Sequence, residues 1–118
     1  MGLDFGIQKR RKGENYKGLS FEDCCSWRNC HKIKRIFNEI IEFNETCYYP
    51  ITIGAMQIII KKLVDELQKV NFNNMDEVDE YSNGKLLCAI RDLSSIINDA
   101  IWDYQDGIEY EYRVLDSF

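Results

Sequence analysis

Apolar and polar positions alternate at the start of the chain. Leu3, Phe5 and Ile7 oppose Asp4, Gly6 and Gln8, which predicts a β-strand over 3–9, because successive strand side chains point to opposite faces. The stretch 9–18 is basic and bounded by glycine and predicts an exposed loop or hairpin connection. A weaker pattern over 21–26 predicts a second short strand. From Trp27 the period changes. Ile33, Ile36, Phe37, Ile40 and Phe43 recur at spacings of three and four, one apolar stripe of a helix over 28–43.

The aromatics Tyr48 and Tyr49, followed by Pro50, predict a strand over 45–51 that ends at, or lies along, a sheet edge. Thr52 then suits a helix cap. Met56, Ile59, Ile60, Leu63, Leu67 and Val70 keep helical spacing behind it, with Lys61/Asp65 and Lys62/Glu66 as i,i+4 pairs on the wetter side. Asn71, Asn73 and Asn74 end this second helix. The acidic stretch 76–80, with Ser82, Asn83 and Gly84, predicts a polar connection. A third helix is predicted over 85–104 with Leu86, Ile90, Leu93, Ile97 and Ile101 toward the core. The cleanest period-two run is last: Ile108, Tyr110, Tyr112 and Val114 alternate with Glu109, Glu111 and Arg113. The order strand, strand, helix, strand, helix, helix, strand predicts an α+β domain, a small mostly antiparallel sheet packed against about three helices.

Composition agrees with one domain over 1–118. The chain has 118 residues, 45% hydrophobic and 30% charged, with one proline, a length at which a core can stand without disulfides or metal. Five cysteines, an odd number with two adjacent, argue against a secreted disulfide framework and for a reducing cytoplasm. The longest strongly apolar runs, 58–60 and 86–90, are far too short to span a bilayer, and no signal-like stretch follows the basic residues 9–12. No membrane association is expected.

Net charge is −5, a sign that argues against general binding to duplex DNA. The total hides a division. Residues 1–36 hold nine Lys/Arg and four Asp/Glu, a net of +5, and the rest hold six and sixteen, a net of −10. A basic front can meet a phosphate-bearing ligand, and an acidic back a basic protein.

Candidate chemistry follows that division. Cys24, Cys25, Cys30 and His31 are the only close set of metal-ligand types, but their spacing lacks the paired knuckles of a zinc site, so small packed thiols are the simpler reading. His31 directly follows Cys30, and adjacent helical residues diverge by about 100 degrees. Phosphate loops, serine elbows and dinucleotide fingerprints are missing, so neither catalysis nor a cofactor is expected. Arg28, Lys32 and Arg35 would share a helix face, with His31 near Arg28. Trp27 would stack on a base while Lys9, Arg10, Arg11 and Lys12 close over a nucleotide; a solvated basic face is the plainer alternative. Asp92, Asp99, Asp103 and Asp106 fall in one stripe of the third helix, read as opposite its apolar face, and with Glu109 and Glu111 form a candidate surface for a basic partner.

The opening Met1, Gly2, Leu3 and Asp4, a strand and basic loop, then Trp27 and Arg28 before an amphipathic helix, and Tyr48, Tyr49 and Pro50 before a second helix resemble a group of small uncharacterised bacteriophage proteins. The resemblance covers about the first seventy residues. Asn29 stands where that group has lysine, and the last forty residues follow no pattern of it. It implies a phage or prophage origin and no catalytic residue. Three functions follow as expectations. The first is a non-enzymatic, anti-CRISPR-like inhibitor whose acidic surface covers a basic channel of a host defence protein, in the cytoplasm of the infected bacterium. The second is sequestration of a nucleotide signal by the basic front. The third is a homo-oligomeric accessory protein joined through Tyr48, Tyr49, Tyr110 and Tyr112 on edge strands.

Overall fold

The computed structural model describes residues 4–13, 18, 20–28, 30–43 and 47–117. Its elements in chain order are β1 (Asp4–Arg11), β2 (Glu22–Arg28), α1 (His31–Ile40), β3 (Tyr48–Ile51), α2 (Ile53–Leu67), a 3-10 turn (Met75–Glu77), α3 (Glu80–Gln105) and β4 (Tyr110–Ser117). The four strands form one antiparallel sheet in the order β2-β1-β4-β3. This is the expected α+β class, with the strands and helices in the predicted order.

Only one face of the sheet is packed. Phe5 and Ile7 of β1, Trp27 of β2, Tyr49 and Ile51 of β3 and Val114 of β4 are all buried, and join Ile33, Phe37, Met56, Ile59, Leu63, Leu86 and Leu93 of the helices in a single core. Phe5 is its aromatic centre. Its ring meets Phe37 edge-on at 4.9 Å and lies 6.0 Å from Trp27, within the range where aromatic pairs add to plain burial. On the opposite, open face Arg113 lies over both Phe21 and Tyr48, 3.8 Å from each ring, and its Nε donates to Gln8 Oε1 at 2.8 Å.

Several boundaries move, each for a local reason. Leu3 lies outside the described residues, as do 14–17 of the predicted loop and Glu45 and Thr46 of the predicted third strand. The basic run 9–11 belongs to β1, because Lys9, Arg10 and Arg11 pair with Tyr112, Glu111 and Tyr110 of β4. β2 extends through Trp27 and Arg28, so α1 begins only at His31. A bulge between the partners of Ile7 and Gln8 leaves Cys24 as the extra residue. Pro50 is tolerated because β3 is an edge strand. Thr52 caps α2 as expected, its Oγ1 accepting from the Ala55 amide at 3.0 Å.

The predicted i,i+4 pair Lys62/Glu66 on α2 is replaced by other partners for both residues. Lys62 Nζ meets Glu39 at 2.9 Å, and Glu66 takes Lys32 at 3.6 Å and Lys69 at 3.0 Å. The Lys69 hydrogen bond, then the charge of Lys32, holds the Glu66 carboxyl below its ordinary range. Residues 80–84, predicted as connection, are the first turns of α3, whose Asn83 is buried. Ile101, predicted to face the core, is 52% exposed. α3 spans 26 residues, about 39 Å at 1.5 Å per residue.

Candidate partner-binding surface

α3 and the end of the sheet where β1 leaves and β4 enters bound two neighbouring cavities. The first, about 300 Å³, is lined by Lys9, Glu22, Asp23 and Cys24 from the sheet, Asp92, Ser95, Ile96 and Asp99 from α3, and Tyr112 from β4. The second, about 350 Å³, is apolar: Ile53 of α2, Ala100, Ile101 and Tyr104 of α3, and Ile108, Tyr110 and Tyr112 form its walls, with Lys12, Gln105 and Glu109 at its rim. Tyr112 contributes to both. Burial pushes its phenol up to about 12, aided by the nearby Cys24 thiol and the Asp103 carboxylate.

Local chemistry at the end of α3 builds the second cavity. Gly107 adopts a φ of 79°, a left-handed conformation that glycine takes without penalty. The Gly107 amide donates to the Tyr104 carbonyl at 3.0 Å and the Ile108 amide to the Asp103 carbonyl at 2.8 Å. This is a Schellman ending. It turns the chain back and delivers Ile108 to the cavity wall. Gly107 just past a periodic apolar run was a legible signal for this end.

The acidic residues of the sequence separate into three groups. Asp92 is engaged inside the fold: its Oδ2 accepts from buried Trp27 Nε1 at 3.0 Å and its Oδ1 from Arg91 at 3.2 Å. Glu111 lies on the open face of the sheet, where Arg10 Nε donates to it at 2.6 Å. Asp99, Asp103 and Asp106 remain on one flank of α3, none of them in an ion pair with another described residue, and Glu109 stands exposed just beyond. The stripe is therefore not opposite the apolar face. Asp92 and Asp99 border the sheet-side cleft, so the stripe runs beside that face.

The basic front does not assemble as one site. Trp27 is 5% exposed and packed against Phe5 and Phe37, so it presents no ring to a base. Arg28 belongs to β2, not to the helix carrying His31, Lys32 and Arg35. His31 and Arg35 are exposed, while Lys32 is paired with Glu66. Alternation along β1 divides the basic run. Lys9 faces the cleft, with its Nζ 4.4 Å from the Tyr110 ring centre, and Arg10 stacks on Phe21 on the open face. Arg11 pairs with Tyr110 in the sheet and is half-buried.

The thiols are distributed through the fold. Cys30 is buried and donates to the Trp27 carbonyl at 3.5 Å, Cys24, Cys25 and Cys88 are half-buried, and Cys47 is exposed. Burial raises Cys24 to about 11 and Cys25 to about 12. Among the described residues no three His, Cys, Asp or Glu side chains are grouped to hold a metal ion, and no helix is long and apolar enough to cross a membrane. The expected tyrosine interface is also dispersed. Tyr48 is 49% exposed on edge strand β3, Tyr49 is buried, and Tyr110 and Tyr112 lie on β4, an interior strand.

No protein-family model, curated protein or solved structure matches the chain.

Proposed function

We propose that the protein is a non-catalytic binding protein that disables a host antiviral defence component by docking the acidic flank of α3 on a basic, nucleic-acid-binding surface of that component. One observation carries this reading: Asp99 and Asp103 on one side of α3, and Asp106 just past its end, stand in no ion pair with another described residue. Charges left unpaired in this way speed and orient association with a surface of opposite sign. The setting in host defence comes from the resemblance to bacteriophage proteins.

The test is a plaque assay in bacteria that each carry one active nuclease-based defence system and express the chain. The wild type restores plaques in at least one such host. The triple variant Asp99→Lys, Asp103→Lys, Asp106→Lys restores none, although its circular dichroism spectrum is unchanged. Asp92 is kept because it holds Trp27. Protection by the triple variant equal to that of the wild type, or no protection by the wild type in any host, refutes the reading.

A further inference from the structure

Alternation along the strands puts Gln8 and Arg10 of β1, Glu111 and Arg113 of β4, and Tyr48 and Pro50 of β3 on the face of the sheet away from the helices. Phe21, just before β2, joins them. Arg113, on an interior strand, stands among them. Its guanidinium carbon lies 3.8 Å from the centres of both the Phe21 and the Tyr48 rings, and its Nε donates to Gln8 Oε1 at 2.8 Å. Gln8 is fixed in turn, because its Nε2 donates to Asp23 Oδ1 at 2.8 Å. Two rings and one hydrogen bond thus hold the guanidinium, while its Nη groups donate to no described residue and it joins no ion pair with one. The carboxylates nearby have partners of their own, Glu111 in Arg10 and Asp23 in Gln8.

We infer that this face binds single-stranded nucleic acid, with a backbone phosphate on the Nη edge of Arg113 and a base stacked on the Tyr48 ring. A planar guanidinium can take two phosphate oxygens while it stacks on aromatic rings, and rings on an open surface accept bases of any sequence. Tyr48 is 49% exposed, and Pro50 beside it is exposed as well. Each nucleotide of a strand carries both groups that the face can satisfy, an oxyanion and a flat ring. A carboxylate of an acidic peptide would engage Arg113 alone. A free mononucleotide would stay largely in solvent on a sheet, since sites for small ligands are concave. A duplex hides the faces of its bases, and the net charge of −5 also disfavours it. This binding is independent of the docking reading, because α3 packs on the other face of the sheet.

Fluorescence anisotropy of a labelled thymidine strand of about twelve nucleotides, within the span of known single-strand sites, tests it on the whole protein. The strand is expected to bind, and a duplex of the same length to bind about ten-fold more weakly or not at all. Tyr48→Ala and Arg113→Gln each lower the affinity about ten-fold, the scale of one lost base stack. Arg113→Lys, which keeps the charge without the planar fork, weakens it too. Lys61→Gln, which removes a cation from the exposed side of α2, leaves it within about two-fold. A second readout needs no variant: a strand carrying 5-iodouracil, irradiated with the wild-type protein, cross-links at Tyr48 or Phe21. No binding of the strand, equal affinity for the duplex, an equal loss with Lys61→Gln, or cross-links confined to the helices overturns the inference. So does displacement of the strand by polyglutamate or thymidine monophosphate at the concentration that unlabelled strand requires.

Discussion

Trp27 and Asp92 provide a coupling whose size can be worked from their surroundings. The indole Nε1 donates to Asp92 Oδ2 at 3.0 Å, and the Asp92 side chain is 22% exposed, so water replaces little of the bond when it is broken. A hydrogen bond to a charged acceptor contributes about 1.5–3 kcal/mol. Arg91, at 3.2 Å from the other oxygen, retains part of the carboxylate's interaction, which puts the coupling near 1.5 kcal/mol. Asp92→Ala strands a buried N–H and should cost about 2 kcal/mol, lowering Tm by roughly 8 °C for a domain of this size. Trp27→Phe loses the bond and part of the packing on Phe5 and Phe37. The double variant should be less destabilised than the two singles added together, by about that coupling. Urea denaturation of the four proteins measures the cycle. Asp103→Ala, which removes a carboxylate in no ion pair with another described residue, serves as the control and should change stability by less than about 0.5 kcal/mol. A coupling below about 0.3 kcal/mol would refute the assignment of Asp92 to the fold and return it to the docking flank.

Gly6→Ala should destabilise by about 2 kcal/mol or more, since an added Cβ stands 2.2 Å from the Cys25 carbonyl oxygen and 2.9 Å from the Ser26 Cα; both are backbone atoms of the paired strand, and a melting temperature equal to wild type would show that β2 does not pass so close. Alkaline conditions should unfold the protein. Cys25 rises from 9.0 to about 12 on folding through burial, so the folded state holds its proton more tightly than the unfolded one; stability is full below pH 9 and is lost progressively toward pH 12. Urea midpoints measured across that window should fall, with a smaller fall in Cys25→Val, and a flat profile would contradict the burial of this thiol.

The order of elements was legible because most of them expose one side, so hydrophobic period and element type coincide. Where that condition fails, the reading fails. Trp27 and Arg28 fit a helix by spacing alone, but β2 carries them because Phe5 and Asp4 of β1 stand opposite. The polar residues 80–84 resemble a connection, yet Asn83 is buried and its amide donates to the Asp79 carbonyl at 2.8 Å, which opens α3 early. Ile101 has the spacing of a core residue but stands at an open cavity and is 52% exposed. Of the candidate surface, the row of aspartates on α3 was visible in the sequence. The apolar cavity was not, because it requires Ile53 of α2, Ile108 of the turn after α3 and Tyr112 of β4 to meet beside one helix end. Asp116 shows the same limit: no pattern marks it, but it is 5% exposed on β4 and takes Lys34 Nζ at 2.8 Å.

The strand order β2-β1-β4-β3 places the first and last strands in chain order side by side at the centre of the sheet, paired from Asp4↔Ser117 to Arg11↔Tyr110. During synthesis, β1 and β2 can meet early as a two-stranded ribbon, which has little stability alone. β1 keeps one open edge, and β3 has no strand to join, until β4 leaves the ribosome. The sheet therefore closes in one late step across about a hundred residues, with the entropy cost and slow kinetics of long-range pairing. A nascent chain halted before residue 110 would present the unpaired edges of β1 and β3, a substrate for chaperones and proteases until β4 arrives.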